Sequence, residues 1–521
     1  MKMIHNKIYI LTIMVLICTK KLTIANEVVS GPFSMEQLIA QLGKNVESRD
    51  VNFSDVISKS VFNFGHDLVS NIMKMKPNSK SEVISPVSIV SSLNLVLLGA
   101  KGTTYDEILS TLGYNESTSL FENSSKIHES FSSLIENINN PSTTQFTSEN
   151  TSWKNVNVSE VYRSGQYKNE SGNSKTSIVN GIFVQEGRGL RNSYVMAAKN
   201  LYKCETKNLD FATSPAQSAR YINDWVNNET KGLVRNIVGE SLDTATKLII
   251  VNSLYFKADW FKEFIDGATD MKNFYPNGLE NPAISVEMMA NAGHFPYGES
   301  RDLDCRILGL PYKDKQTTMY IIIPNNSNKS KLEKLQADLS FDKLETLIDQ
   351  MTVKTAIILL PKMSLTNQYN LRDILEGMGV KSLFSPRTSD LSLISEPEIN
   401  YSQTRQTEGL YNQLVFSRLR DELNVSNKKK REVTNNAYLE SLERLRQMDL
   451  SNPGLFASDV LHKIKLIVNE QGTEAGAATA VTINRSGPQV FFRVEVPFLV
   501  VIRHDSTKLP LFYGSVFEPS T

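Results

Sequence analysis

Side-chain catalysis needs a nucleophile with its base, a metal cluster or a phosphate cradle, and each leaves a recognisable spacing. The chain has no G-x-S-x-G, no H-E-x-x-H and no Walker glycine loop, and Gly187-Arg188-Gly189 lacks a third glycine. Its 6 histidines, His5, His66, His128, His294, His462 and His504, stand without ligand spacing. His462 opens a strand and reads there as a hydrogen-bonded core residue. Among 56 Asp and Glu, carboxylate pairs discriminate nothing. No enzymatic activity, metal or cofactor is expected.

Chemistry of another kind resides in Glu470-Gln471-Gly472-Thr473-Glu474-Ala475-Gly476-Ala477-Ala478-Thr479-Ala480-Val481-Thr482, directly after the strand-like run Leu461 to Val468. A flexible tether would be rich in Gly and Ser. After Gly472 this segment holds only Ala, Thr, Val, one Gly and one Glu, with no proline and no aromatic ring. Read as a strand, it sets Thr473, Ala475, Ala477 and Thr479 on one face, all small and uncharged, and Glu474 on the other. Forcing bulky or charged groups between two existing strands costs on the order of several kcal/mol through overpacking or desolvation. Small residues keep that passage open, although a merely Ala-rich linker is the alternative the composition leaves.

The elements that would hold this segment read as α+β, with helix and strand signals alternating without a regular βαβ rhythm. The 521 residues are 40% hydrophobic, enough for a large core, and one large sheet-based domain is expected. Ser85-Pro86 opens a helix whose run Val87 to Leu98 is apolar on nearly all faces and which Gly99 stops. Thr104 with Glu107 reads as a capping box before Ile108 and Leu112, and Ser214-Pro215 starts a helix with Ile222, Trp225 and Val226 on one face. Leu248 to Val251, Met319 to Ile323 and Ile357 to Leu360 read as strands covered on both faces, and Phe491 to Val496, Phe498 to Ile502 and Leu511 to Val516 as a closing set.

Two polar segments interrupt this pattern, residues 139–177 and 396–454. The second carries the amphipathic spacings Leu410/Leu414 and Leu439/Leu442/Leu445, suited to short helices. Its run Lys428, Lys429, Lys430 and Arg431 reads first as a solvated loop, with a protease-processing site or a polyanion contact as alternatives.

Residues 1–25 read as a secretory signal: Lys2 and Lys7 precede an apolar run, Ile8 to Cys18, too short to span a bilayer comfortably. Thr23 and Ala25 precede a cut before Asn26. Sequons at Asn115, Asn123, Asn150, Asn157, Asn169, Asn228, Asn328, Asn400 and Asn424 fit passage through the secretory pathway. Cys204 and Cys305 leave two free thiols or one bridge open. The 56 basic and 56 acidic side chains give no global attraction to nucleic acid or membrane, and neither is expected as a partner.

Several separated motifs together resemble a serpin, the serine protease inhibitor family. They are the hinge Val468-Asn469-Glu470-Gln471-Gly472-Thr473-Glu474-Ala475, Ser85-Pro86-Val87-Ser88-Ile89 with Leu98-Gly99-Ala100-Lys101-Gly102, and Val251-Asn252-Ser253-Leu254-Tyr255-Phe256-Lys257 followed by Trp260. Pro497-Phe498-Leu499, Ile502-Arg503-His504 and Phe512-Tyr513-Gly514 match the family's ending. The resemblance implies helices around three β-sheets, one domain over 61–521 after an extension over 26–60, and a reactive loop over 470–488. It implies a secreted, monomeric suicide inhibitor whose partner is a trypsin-like serine protease. The cut loop, with hinge residues Glu470, Gly472, Thr473, Glu474, Ala475, Gly476, Ala477, Ala478, Thr479 and Ala480, would insert as a strand and distort the acylated enzyme. Gly476 stands where the family usually has alanine.

By the same resemblance Ser85, Ser88, Asn252 and His462 line the region where the sheet parts, and Trp260 with Glu470 sits at its upper end. Family spacing from Glu470 puts the specificity residue at Ser486, cut before Gly487; a loop one residue shorter puts it at Arg485, cut before Ser486. Arg485 is preferred, because a trypsin-like pocket gains strongly from a guanidinium. Asn484-Arg485 also looks like activation sites cut by arthropod clip-domain proteases, pointing to innate immunity, while Asn484-Arg485-Ser486 is itself a sequon taken as unoccupied. A non-inhibitory carrier is the alternative function. A heparin-type activator is not supported, since Ser117 to Asn139 offers only Lys126 and His128 as basic candidates.

Overall fold

The structure is a computed structural model that describes residues 53–114, 124–139, 174–396, 427–473 and 487–519. In chain order these form α1 (Phe53–Met75), β1 (Ser81–Ile84), α2 (Pro86–Gly99), α3 (Gly102–Thr111), α4 (Ser124–Asn139), β2 (Lys175–Gln185), α5 (Asn192–Tyr202), β3 (Glu205–Leu209) and α6 (Pro215–Glu229). There follow β4 (Leu248–Asp259), β5 (Asp270–Phe274), β6 (Ile284–Ser300), β7 (Cys305–Pro311), β8 (Thr317–Pro324), α7 (Lys329–Asp338), α8 (Phe341–Asp349), β9 (Thr352–Pro361), β10 (Met363–Asn370) and α9 (Arg372–Gly377). The last elements are α10 (Asn427–Gln447), β11 (Asp459–Val468), β12 (Gly472–Thr473), β13 (Val490–Arg493), β14 (Phe498–His504) and β15 (Leu509–Val516).

Among the described residues the strands make two hydrogen-bonded networks, the larger of which joins two of the expected sheets. One has 6 strands, in the order β10-β11-β4-β2-β3 with β12 on β4. The other has 9, in the order β1-β15-β14-β8-β7-β6-β9-β13 with β5 on β6. Two sheets fuse because β6 runs for 17 residues, pairing with β5 and β9 along most of its length and with β7 over Tyr297–Ser300.

Helix α2 lies between the networks, against β4 on one side and β15 on the other. Every residue of it is buried, which its all-round apolar sequence requires. Helix α1 buries Ile57, Val61, Phe64, Leu68 and Ile72, spaced three and four apart, and so crosses the boundary placed at residue 61. Strands β4 and β8 are covered on both faces as expected, whereas in β9 Ile357 and Leu359 remain half-exposed. The carboxyl-terminal set forms as β13, β14 and β15.

Tertiary contacts override local signals at two places. The capping box does not form: α3 starts at Gly102, Thr104 accepts from the Asp390 N–H (3.0 Å), and Glu107 accepts from the N–H groups of Lys381 (2.8 Å) and Ser382 (2.7 Å). Glu107 thus caps the 3-10 turn Ser382–Phe384 instead of its own helix. The basic run 428–431 is not a loop but opens the 21-residue helix α10, held by Tyr438, Leu439 and Leu442 buried against α5 and α4. Leu410 and Leu414 lie outside the described residues. His128 is no surface cation: it is buried, its Nδ1 meets the Tyr202 hydroxyl (2.6 Å), and burial, reinforced by the nearby Arg446, pushes its pKa down to about 3. Cys204 and Cys305 are both free and buried. Among the described residues no helix is long and apolar enough to cross a membrane.

Candidate functional site

The six-stranded sheet carries a polar row across its middle. Asn180 of β2 is the register partner of Asn252 in β4, which is the partner of His462 in β11. All three are buried, and all meet the serines at the start of α2. The Ser88 hydroxyl donates to Asn252 Oδ1 (2.7 Å), and Asn252 Nδ2 donates to the Ser88 carbonyl (2.7 Å) and to Asn180 Oδ1 (3.0 Å). The Ser92 hydroxyl donates to Asn180 Oδ1 and Asn180 Nδ2 to the Ser91 hydroxyl, both at 2.9 Å.

These contacts fix the His462 tautomer. Its Nε2 accepts from the Ser85 backbone N–H (3.2 Å), so Nδ1 carries the proton and donates to Asn252 Oδ1 (2.7 Å). Burial pushes its pKa down to about 3, and the ring is neutral at physiological pH. It is the hydrogen-bonded core residue expected. Ser85 contributes its backbone N–H, which any residue but proline would supply; its hydroxyl finds no partner among the described residues. Sequence reasoning named Asn252 and passed over Asn180, Ser91 and Ser92. The signal was present, since Val179-Asn180 repeats the Val251-Asn252 step of a lone amide inside an apolar strand.

Above this row the sheet is incompletely zipped. The parallel ladder between β11 and β4 joins Asp459–Ile464 to Ile249–Leu254 and ends there, although β11 continues to Val468 and β4 to Asp259. At the far end of that interval stands the start of the small-residue segment. Asn469 closes a tight turn, its N–H donating to the Gly472 carbonyl (3.0 Å) and its Oδ1 accepting from the Gly472 N–H (3.0 Å). Gly472 and Thr473 then pair antiparallel with Asp259 and Ala258 as β12. Only glycine fits at 472, because a Cβ there would lie 2.2 Å from the Ala258 carbonyl oxygen.

Trp260 and Glu470 anchor this end. The Trp260 indole donates to the Asn469 carbonyl (2.9 Å), its N–H donates to the Gln471 carbonyl (2.9 Å), and the Phe264 N–H donates to the Glu470 carbonyl (2.8 Å). Trp260 stacks on Tyr312 with centroids 4.5 Å apart, and the Tyr312 hydroxyl meets that of the buried Thr473 (3.0 Å). Burial alone would raise the Glu470 carboxyl, but the Thr269 hydroxyl (2.7 Å) and the Lys362 ammonium (3.3 Å) hold it below the usual range. Tyr312, Thr269 and Lys362 were not foreseen, because only the fold brings them to the hinge.

Glu474, Ala475, Gly476, Ala477, Ala478, Thr479, Ala480, Arg485 and Ser486 lie outside the described residues. The chain resumes at the exposed Gly487 and is fastened at Gln489, whose N–H donates to the Thr355 carbonyl (2.8 Å) and whose Oε1 accepts from the Thr355 N–H (3.1 Å). Of the sequons, Asn228 is exposed near the end of α6, and Asn328 caps α7 by accepting from the Lys331 N–H (2.9 Å); the other seven lie outside the described residues.

Comparison with known proteins agrees with this arrangement. The family model described as Serpin (serine protease inhibitor) matches residues 59–519. Serine protease inhibitor 28Dc of Drosophila melanogaster is 35% identical over 475 residues, covering 90% of this chain and 81% of that protein. Leukocyte elastase inhibitor of Xenopus laevis is 28% identical over 469 residues, covering 89% and 99%. Among solved structures, human glycosylated kallistatin superposes with TM-score 0.64 at 25% identity, over 90% of this chain and 100% of that one. Human thyroxine-binding globulin complexed with thyroxine superposes with TM-score 0.66 at 21% identity, over 90% and 100%. With the family model spanning the helices, both strand networks and the hinge, the chain belongs to the serpin family.

Proposed function

We propose that this chain is a secreted suicide inhibitor of a trypsin-like serine protease, working from a single domain whose described part begins with α1. The observation that carries the reading is β12: two residues of the small-residue segment are already paired at the head of an interval where β4 and β11 share no ladder. The protease serine attacks the Arg485 carbonyl carbon, the bond to Ser486 breaks, and the new amine of Ser486 leaves with the proton relayed by the protease histidine. The freed strand then zips downward from Thr473 with the ester still attached. Fourteen residues span about 45–50 Å when extended, and a dozen new ladder bonds at about 1 kcal/mol each supply on the order of 10 kcal/mol to distort the enzyme before water completes the cycle.

Incubation with trypsin tests this directly. The reading expects an SDS-stable complex and a released peptide of residues 486–521, identified by mass. A peptide beginning at Gly487 would move the bond to Ser486–Gly487. Clean cleavage without a complex would instead favour a non-inhibitory carrier.

A further inference from the structure

This inference rests on the inhibitory reading above and concerns helix α10. A new strand between β4 and β11 moves β4, β2 and β3 away from β11 and β10 by one strand spacing, about 4.8 Å. Helix α5 joins β2 to β3 in the chain and travels with them; α4 packs on α5 and β2 and also on α1 and α2, and is assigned to the same side through β2. Helix α2 packs on β4 and β2 as well as on β15; held to β15 of the other network and, through the Ser85 N–H at its start, to His462 of β11, it is the stationary side past which β4 slides.

Helix α10 grips both sides of that division. Its middle buries Tyr438, Leu439 and Leu442 against α5 and α4, and Glu443 accepts from the Ser124 hydroxyl at the start of α4 (3.0 Å). Its last turn holds the stationary side. The Arg446 guanidinium donates to the carbonyls of Leu98 (3.2 Å) and Ala100 (3.1 Å), among the acceptors that the end of α2 leaves without helical partners. It also lies over the Tyr105 ring, 4.4 Å from the centroid, in α3. The Lys101 ammonium donates to the Met448 carbonyl (2.5 Å), and the chain runs on through the buried Leu455 and Ala457 into β11.

We infer that α10 is a brace across the parting line, and that its ties at Glu443 and Arg446 set the rate at which the sheet opens. Contacts made in the closed sheet and broken on opening raise the barrier to strand insertion; loosening them lowers it. Helix α10 therefore governs how fast the loop inserts relative to hydrolysis of the acyl-enzyme.

The test uses the full chain and a synthetic peptide with the sequence of Thr473–Arg485, its uptake followed by the mobility of the complex on native gels and by its gain in heat stability. Arg446→Met is expected to take up the peptide about tenfold faster than wild type, a barrier change of about 1.4 kcal/mol. Glu443→Gln, at a half-exposed position that tolerates the change, should give about two- to threefold. Leu332→Ala, in α7 and remote from the parting line, should lower the melting temperature and leave the rate unchanged. Wild-type rates in both α10 variants, or equal acceleration by Leu332→Ala, would overturn the brace. Failure of every form, wild type included, to take up peptide at any temperature below unfolding would overturn the sheet-parting reading itself, and the brace with it.

Discussion

Replacing Asn252 with alanine should destabilise the closed form selectively. The substitution strands one buried donor, the His462 Nδ1–H, whose acceptor stands at 2.7 Å, while the Ser88 carbonyl loses the Asn252 amide (2.7 Å) but keeps the Ser92 N–H of its own helix. The other neighbours keep partners, since the Ser88 hydroxyl turns to the Ser85 carbonyl (3.1 Å) and Asn180 Oδ1 retains the Ser92 hydroxyl (2.9 Å). One unsatisfied buried donor at 1–3 kcal/mol gives a loss of about 2 kcal/mol. For a domain spanning 59–519 the unfolding entropy is roughly 1 kcal/mol per kelvin, so the midpoint of the intact protein should fall by about 2 °C. In the loop-inserted form a strand separates Asn252 from His462 and that bond is already gone, so the same substitution should move its midpoint by under about 1 °C. Calorimetric melts of the intact and loop-cleaved proteins, wild type and Asn252→Ala, measure both shifts. An unchanged intact form, or equal falls in the two forms, would refute the assignment of this row to the closed sheet.

Thr473→Arg puts a guanidinium where a buried hydroxyl now meets Tyr312, and the cost of burying it unpaired should block insertion at the first step. Trypsin would then cut the loop without forming an SDS-stable complex; an undiminished complex would count against hinge insertion. Gly472→Ala forces the hinge away from the Ala258 carbonyl and should unpair β12, seen as about tenfold faster amide hydrogen exchange at the hinge, whereas unchanged exchange would show that the close approach is relieved some other way. His128 and His462 are each held down to about 3 by burial against 6.5 when unfolded, so the unfolded chain binds protons first. Their contribution to stability is present above about pH 6.5 and is lost as pH falls toward 3, by about 1.4 kcal/mol per pH unit for each ring. Replacing both with Gln should flatten the pH dependence of the unfolding midpoint across that window, and an unaltered slope would show that other groups carry it.

What could be read from the sequence follows from how local each signal is. His462 was legible as a core residue because it opens an apolar strand, and Asn252 only through its place in a family-like motif; Asn180 is likewise a lone amide in an apolar strand and needed the register with β4 to join them. Gly472 and Thr473 belong to a segment that stood out because small size is a property of the residues themselves. Glu107 was misplaced because its partners, Lys381 and Ser382, come from a distant part of the chain. The Leu439/Leu442 spacing pointed to a helix, but nothing local says that it docks on α5 or that Arg446 reaches the end of α2. Likewise, the fusion of two sheets through β6 depends on how far one strand runs past its neighbours.

The central claim is that the intact protein is a strained state that relaxes by taking its own loop into the sheet. Cutting the reactive loop with a protease that forms no complex, and melting the product beside the intact protein, tests it most directly. On the order of 10 kcal/mol of new ladder bonds against roughly 1 kcal/mol per kelvin of unfolding entropy should raise the melting temperature by about 10 °C, together with a gain in β-structure by circular dichroism. An unchanged or lower melting temperature, with no strand gained, would contradict it.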